Sequence, residues 1–281
     1  MATSTAAPEP GPMETGSSAV APRDARGRLL GVARAVAWRS LKTFYSNPAL
    51  FMPSLLFPLM FFVAFTGGLS KIGDLPGFDY PKGYATFQWC FTFLQSSGFA
   101  GAFLGFGVAR DFDTKFMRRI MLAASDRRGI LLGYSFAGIV RCLVTMTWIT
   151  TIGFVGGVKL PAPGDFAIAA AMALVVNQLA VLWGVGVAMR IRSSQAGPAI
   201  QMPLMLAFFL APVYVPLALL GGWLKSAAKV NPITYVLTAV RDVFLGRLHS
   251  VDTAVVASLA FAVVLTVWAI RSLRSAELSG A

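Results

Sequence analysis

Carboxylates are missing where this chain is most apolar. Six long apolar runs, roughly 49–69, 86–109, 130–157, 166–189, 199–224 and 253–270, contain neither Asp nor Glu. Intramembrane carboxylates are the usual handles for protons and cations, so a device powered through such groups is disfavoured. Histidine is nearly absent as well. His249 is the only one, which leaves almost no material for a His-based metal site or catalytic triad. Cys90 and Cys142 are the only cysteines, and both fall inside apolar runs. Thiols there read as small packing groups rather than a disulfide or metal pair. No GxxxxGK segment followed by Ser or Thr occurs anywhere, so the chain cannot cradle ATP phosphates in the usual way. Charge itself is thin, at 13% of residues, about half the fraction typical of soluble domains.

What fills the space is hydrocarbon. Each run approaches or exceeds the roughly 20 residues a helix needs to cross a bilayer at about 1.5 Å per residue. The only charge inside them is Arg141. With 281 residues and six such runs, little chain remains for a soluble domain. The expected fold is all-α and integral to the membrane, with six transmembrane helices.

The net charge of +12 invites a nucleic-acid reading, but its distribution points elsewhere. Arg23, Arg26, Arg28, Arg34, Arg39 and Lys42 precede the first run. Arg110, Lys115, Arg118, Arg119, Arg127 and Arg128 lie between the second and third, Arg190 and Arg192 follow the fourth, and Arg271 and Arg274 follow the last. The alternate segments hold fewer: Lys71, Lys82, Lys159, Lys225, Lys229, Arg241 and Arg247. The bias satisfies the positive-inside rule with both termini cytoplasmic. Basicity here is an orientation signal, and membrane lipids rather than nucleic acid are the implied surroundings. Residues 1–27 are rich in Ala, Pro, Ser, Thr and Gly and lack the basic start and apolar stretch of a signal peptide. They read as a disordered cytoplasmic tail, with 275–281 as a second tail. Residues 28–274 form the membrane domain.

Two cytoplasmic segments carry pattern. Over 28–47, Leu29, Leu30, Ala33, Ala37, Leu41 and Phe44 share one helical face, with Trp38 and Tyr45 on its border and Arg28, Arg39 and Lys42 opposite. Such a helix is expected in the headgroup plane, apolar face down, ending at Asn47-Pro48 because Pro disfavours helical geometry before it. Over 111–128, charges alternate with Phe112, Phe116, Met117, Ile120 and Met121 at helical spacing. Asp111 and Lys115 stand at i,i+4, a supportive pair. A connecting loop needs no apolar stripe, so this one suggests a helix that packs on another protein; lying on the membrane face is the alternative.

Farther on, Pro203, Pro212 and Pro216 interrupt the fifth run, and Asn231-Pro232 breaks the chain again. Arg241 and Asp242 sit centrally in the next apolar stretch, each costing about 2.5–3.5 kcal/mol at mid-bilayer. Residues 221–249 are therefore expected as short re-entrant or interfacial helices on the outer side. Arg141, near the middle of the third run, reads either as a snorkelling side chain that pairs locally or as a contact for a substrate group. Asn177 and Gln178, with Gln88 and Gln95, carry the same two readings. Gly98, Gly101, Gly105 and Gly107 permit close helix approach, within the chain or between copies.

This order of elements resembles the ABC transporter permeases of the type-2, polysaccharide- and drug-export class, and among them the daunorubicin-resistance type of actinobacteria. Asn231-Pro232-Ile233-Thr234-Tyr235, followed by Arg241 and Gly246, is similar to the family's hairpin element before the last span. Arg110-Asp111-Phe112-Asp113, then Arg118-Arg119-Ile120 and Arg127, is similar to its coupling segment. The family usually has Gly where Lys115 stands and often Pro where Gly222 stands. The resemblance implies a bacterial cytoplasmic-membrane permease, not itself an enzyme, that binds no cofactor. ATP and Mg would sit on a separate nucleotide-binding subunit docked at Asp111, Asp113, Lys115, Phe116, Arg118, Arg119, Ile120 and Arg127, beside the helix bearing Arg28, Trp38, Arg39 and Lys42. A second permease copy would complete the transporter. Its cargo would be a hydrophobic drug, lipid or glycolipid, with Arg141, Asn177 and Gln178 as candidate pathway residues. The alternatives are an ion-coupled secondary transporter, or a membrane enzyme or non-transporting scaffold.

Overall fold

The computed structural model describes residues 25–124 and 127–278; the tail expected at 1–27 lies almost wholly outside them. All regular structure among the described residues is helical: α1 (Ala25–Tyr45), α2 (Pro48–Gly68), α3 (Tyr84–Ala102), α4 (Leu104–Asp113), α5 (Phe116–Ala123), α6 (Arg128–Val155), α7 (Pro163–Ile191), α8 (Ala196–Phe209), α9 (Gly222–Val230), α10 (Pro232–Phe244) and α11 (Val251–Leu278), with two short 3₁₀ turns. Five stretches are long and apolar enough to cross a membrane: α2, the nearly continuous α3–α4 pair, α6, α7 and α11. The last runs to Leu278, so most of the segment expected as a C-terminal tail is helical.

Burial ranks these helices. The α3–α4 unit is central, 83% buried over its apolar window, against 22% for α2 and for α11. It packs along α7 with backbones nearly touching. A Cβ added at Gly101 would collide with the Asn177 carbonyl, and one at Gly105 with the Gly184 carbonyl. Gly98 faces the Phe208 ring at 2.7 Å from the same imagined atom. Of the two readings of these glycines, packing within one chain is the one observed. Gly107 differs, with nothing within 4 Å.

The fifth apolar run does not become one helix. α8 has 14 residues, about 21 Å at 1.5 Å each, short of a roughly 30 Å hydrocarbon layer. Beyond Phe209 the chain unwinds through Pro212 and Pro216, where missing N–H donors forbid a regular ladder. The region 221–249 holds α9 and α10, neither long enough to cross. Asn231 starts α10 by accepting the Ile233 N–H at 3.0 Å, with Pro232 at the first helical position, where its missing donor costs nothing.

The α1 helix does not use its apolar face on lipid alone. It runs parallel to α6, with Gly129 against Leu29 and Val32, Gly133 against Ala33 and Val36, and Arg141 beside Ser40. Ala33, Val36 and Phe44 are buried there, whereas Leu30 is exposed. This pairing gives Arg141 a neighbour in α1. α6 has 28 residues, about 42 Å, and its first half lies along α1. Arg141 therefore stands level with the last two turns of α1, just before the chain bends into α2, and not midway along a free span.

Candidate functional site

At the end of the bundle where α1, α4 and α5 meet, Arg39 acts as a clamp. Its guanidinium makes two parallel hydrogen bonds to the Asp111 carboxylate, Nη1 to Oδ2 at 2.6 Å and Nη2 to Oδ1 at 2.8 Å. The same group lies 3.6 Å from the centroid of the Phe116 ring. Bidentate geometry with stacking is what Arg supplies and Lys does not. The hydrogen bond to Asp111 is the main cause raising the Arg39 pKa above its ordinary value. One side chain thus joins α1, the end of α4 and the start of α5.

That geometry corrects the expected coupling helix. Asp111 and Asp113 belong to α4, and the chain breaks at Thr114 and Lys115 before α5 begins. Lys115 has φ of 56°, a left-handed conformation costly to a residue with a Cβ. The break separates Asp111 from Lys115, so their expected i,i+4 pairing gives way to the Arg39 pair. Asp113 instead accepts the Ser194 N–H at 3.0 Å, tying α4 to the α7–α8 loop. The apolar stripe also faces the other way. Met117 and Met121 are buried in the chain's own core, and Phe112 and Ile120 pack against it, while Phe116 lies under Arg39. What α5 offers outward is Lys115, Arg118 and Arg119, together with Leu122 at 76% exposure. Leu122 was not singled out from sequence, though it sits at i+4 from Arg118 on the same face. Arg127 turns to Glu277 of α11 at 3.4 Å. On α1, Arg28 and Lys42 are exposed, and Trp38 is 71% exposed.

Behind the clamp lies a cavity of about 270 Å³ whose lining includes Arg39, Ser40, Phe44, Pro53, Phe57, Phe103, Phe106, Asp111, Tyr134, Arg141 and Gln201. Arg141 is only 4% exposed. Its Nη2 donates to the Ser40 carbonyl at 3.2 Å and reaches the Ser40 hydroxyl at 3.4 Å. The guanidinium stacks 3.8 Å from the Phe44 centroid. Its Nε and Nη1, and the Tyr134 hydroxyl, have no hydrogen-bond partner among the described residues. Tyr134 was not singled out from sequence, although seven residues from Arg141 is two turns along the same face.

The hairpin motif residues gather at the opposite end and do a different job. Arg241 bonds backbone through all three of its nitrogens: Nε to Phe87 at 3.3 Å, Nη1 to Pro212 at 2.6 Å and Nη2 to Val213 at 3.1 Å. It also stacks 3.4 Å from the Phe87 centroid. It thereby satisfies carbonyls freed where the chain unwinds after α8. Asn231 Nδ2 donates to Ala207 at 2.5 Å, bracing α8 from the other side. Tyr235 donates to Lys229 at 2.6 Å, Tyr80 donates to the Arg241 carbonyl at 3.1 Å, and Thr234 is buried. These residues hold irregular backbone in place.

Asn177 and Gln178 are spent between helices. Asn177 donates to Ser97 at 2.8 Å, while Gln178 donates to Ser135 at 3.3 Å and to Asn177 Oδ1 at 3.0 Å. Of their two readings, interhelical hydrogen bonding is the one seen, and they share no cavity with Arg141. Gln88 and Gln95 are fully buried with both amide atoms unpartnered among the described residues.

Several long apolar helices, a clamped amphipathic helix at one end and a short helical hairpin at the other give the architecture of a multi-pass helical membrane protein. The chain belongs to the ABC-2 type transporter family, which it matches over residues 32–245. It is also similar to the daunorubicin resistance ABC transporter permease protein DrrB1 of Streptomyces coeruleorubidus, at 22% identity over 244 residues, covering 83% of this chain and 82% of that one. Family membership makes the chain the membrane subunit of an ABC exporter, a class whose permeases lack an ATPase site of their own and work with an ATP-binding partner.

Proposed function

We propose that this chain forms the transmembrane pathway of an exporter driven by ATP hydrolysed, with Mg, on a separate subunit. Its cargo is a hydrophobic drug, lipid or glycolipid taken from the cytoplasm or the inner leaflet. In this reading the bundle sits in a bacterial cytoplasmic membrane with both termini cytoplasmic. The α8 helix, extended by the unwound stretch after it, completes a sixth crossing, and α9 and α10 dip into the outer side. Two copies of the permease pair with two ATPase subunits, a homodimer being the simplest arrangement. The similarity to a drug-resistance permease supports the cargo class.

The observation that carries the reading is the Arg39 clamp. A force applied to the outward face of α5 passes through Phe116 to Arg39, and from there to α1 and to α4, the end of the central unit. An ATPase subunit seated on Lys115, Arg118, Arg119 and Leu122 would therefore push on α1 and α4 together by closing. Because those side chains point away from the chain's own core, they can be changed without unfolding it. The double variant Arg118→Glu with Leu122→Asp should insert normally, keep its thermal midpoint, and lose copurification with its ATPase subunit. An intact complex in that variant would sink the docking surface. Transport in proteoliposomes driven by a proton gradient without ATP would overturn the exporter reading itself.

A further inference from the structure

Arg141 poses an energetic problem that the permease reading does not use. A buried, uncompensated charge costs several kcal/mol and is normally paired or neutralised. In the cavity behind the clamp, two guanidiniums, Arg39 and Arg141, face one carboxylate, Asp111. Both Asp111 oxygens are taken by Arg39. Arg141 is left with one backbone carbonyl, one hydroxyl and one aromatic face, while Nε and Nη1 go unused. The Tyr134 hydroxyl in the same lining is also an unpartnered donor. Nε and Nη1 lie on different edges of the guanidinium, so each is a separate charge-assisted donor for an anionic oxygen.

The rest of the lining sets the shape of the guest. Pro53, Phe57, Phe103 and Phe106 make one side apolar. About 270 Å³ accommodates an anionic headgroup and the start of a chain, not a whole amphiphile, so the apolar body must continue past the phenylalanines. The cavity lies beside the bend from α1 into α2, the end that the permease reading turns toward the cytoplasmic leaflet. We infer that this cavity is a binding site for the anionic headgroup of an amphiphile, held by Arg141 and Tyr134, with its tail along Phe57, Phe103 and Phe106. The assignment rests on the permease reading only in placing this end at the cytoplasmic leaflet. A phosphate group could come from a membrane lipid or from a transported compound; the chemistry recognised is the same.

Binding can be read on the permease alone. Purified in neutral detergent and examined by native mass spectrometry, the wild-type chain should retain phosphatidylglycerol about tenfold better than diacylglycerol, which shares its tails but lacks the charge. Arg141→Gln should remove that preference, and Arg271→Gln, on α11, should keep it. Should Arg141→Gln fail to fold, Gly107→Leu serves instead. It keeps the charge and projects a side chain from an unobstructed position in the cavity lining, and should cut retention by a similar factor. Equal retention of the two lipids, or a preference that survives both variants, would overturn the site. Displacement of the lipid by inorganic phosphate at equal concentration would make it a small-anion site and overturn the amphiphile assignment. No ATPase subunit takes part, so failure here leaves ATP-driven export standing, and failure of export leaves this binding result standing.

Discussion

Arg141 and Arg241 are both arginines sealed inside the helical assembly, near opposite ends, and the chain treats them in opposite ways. Arg241 has its donors spread over three backbone carbonyls and its face covered by Phe87. Arg141 keeps two of its three nitrogens unused beside a cavity. The difference teaches what each end is built for. Where the charge is saturated, the surrounding backbone is irregular and needs the bonds. Where it is left hungry, the surrounding helices are regular and need nothing from it.

The largest effect should come from breaking the saturated end. Arg241→Ala strips partners from Phe87, Pro212 and Val213 together, and loss of a buried, fully bonded charge typically costs about 3–5 kcal/mol. The expected result is a steep fall in thermal midpoint and aggregation on size exclusion. Retained monodispersity would mean the unwound stretch after α8 holds itself. A smaller effect of opposite sign is expected at the other end. Lys115→Gly relieves a left-handed residue and should gain about 0.5–1 kcal/mol, seen as a slightly higher midpoint. Smallest of all should be Arg141→Gln, where loss of the Ser40 bonds and the Phe44 stacking offsets relief of the unsaturated charge, so the midpoint should move by less than about 1 kcal/mol equivalent while lipid selectivity is abolished. A collapse of that variant like that of Arg241→Ala would erase the contrast between the two ends.

The apolar runs were legible from sequence because lipid imposes its own thickness on any helix that crosses it. The amphipathic segments at 28–47 and 111–128 were legible for the same reason: one-sidedness leaves a period in the chain. What the period does not say is which partner takes the apolar side. Met117 and Met121 satisfy the same spacing whether they face a foreign protein or, as found, their own core. The partner of Arg141 was hidden because it depends on α1 lying parallel to α6, a tertiary pairing set by Gly129 and Gly133 across about a hundred residues. The role of Arg241 was hidden because two of its acceptors, the carbonyls of Pro212 and Val213, are free only where the chain has unwound 28 and 29 residues away. Lys115, by contrast, stood out in the sequence because the resemblance to the family implied Gly there. The left-handed turn supplies its physical meaning.

The near-contact of backbones at Gly105 and Gly184 has a mechanical consequence. Two helices that close can neither roll nor slide without driving carbonyl into Cα, and no side chain lies between them to act as a bearing. The α3–α4 unit and α7 are therefore a stator. Of the helices around it, α11 is itself packed along α7 through Gly186 against Trp268 and Ala269, whereas α2, only 22% buried over its apolar window, is free to swing from the bend between Tyr45 and Pro48.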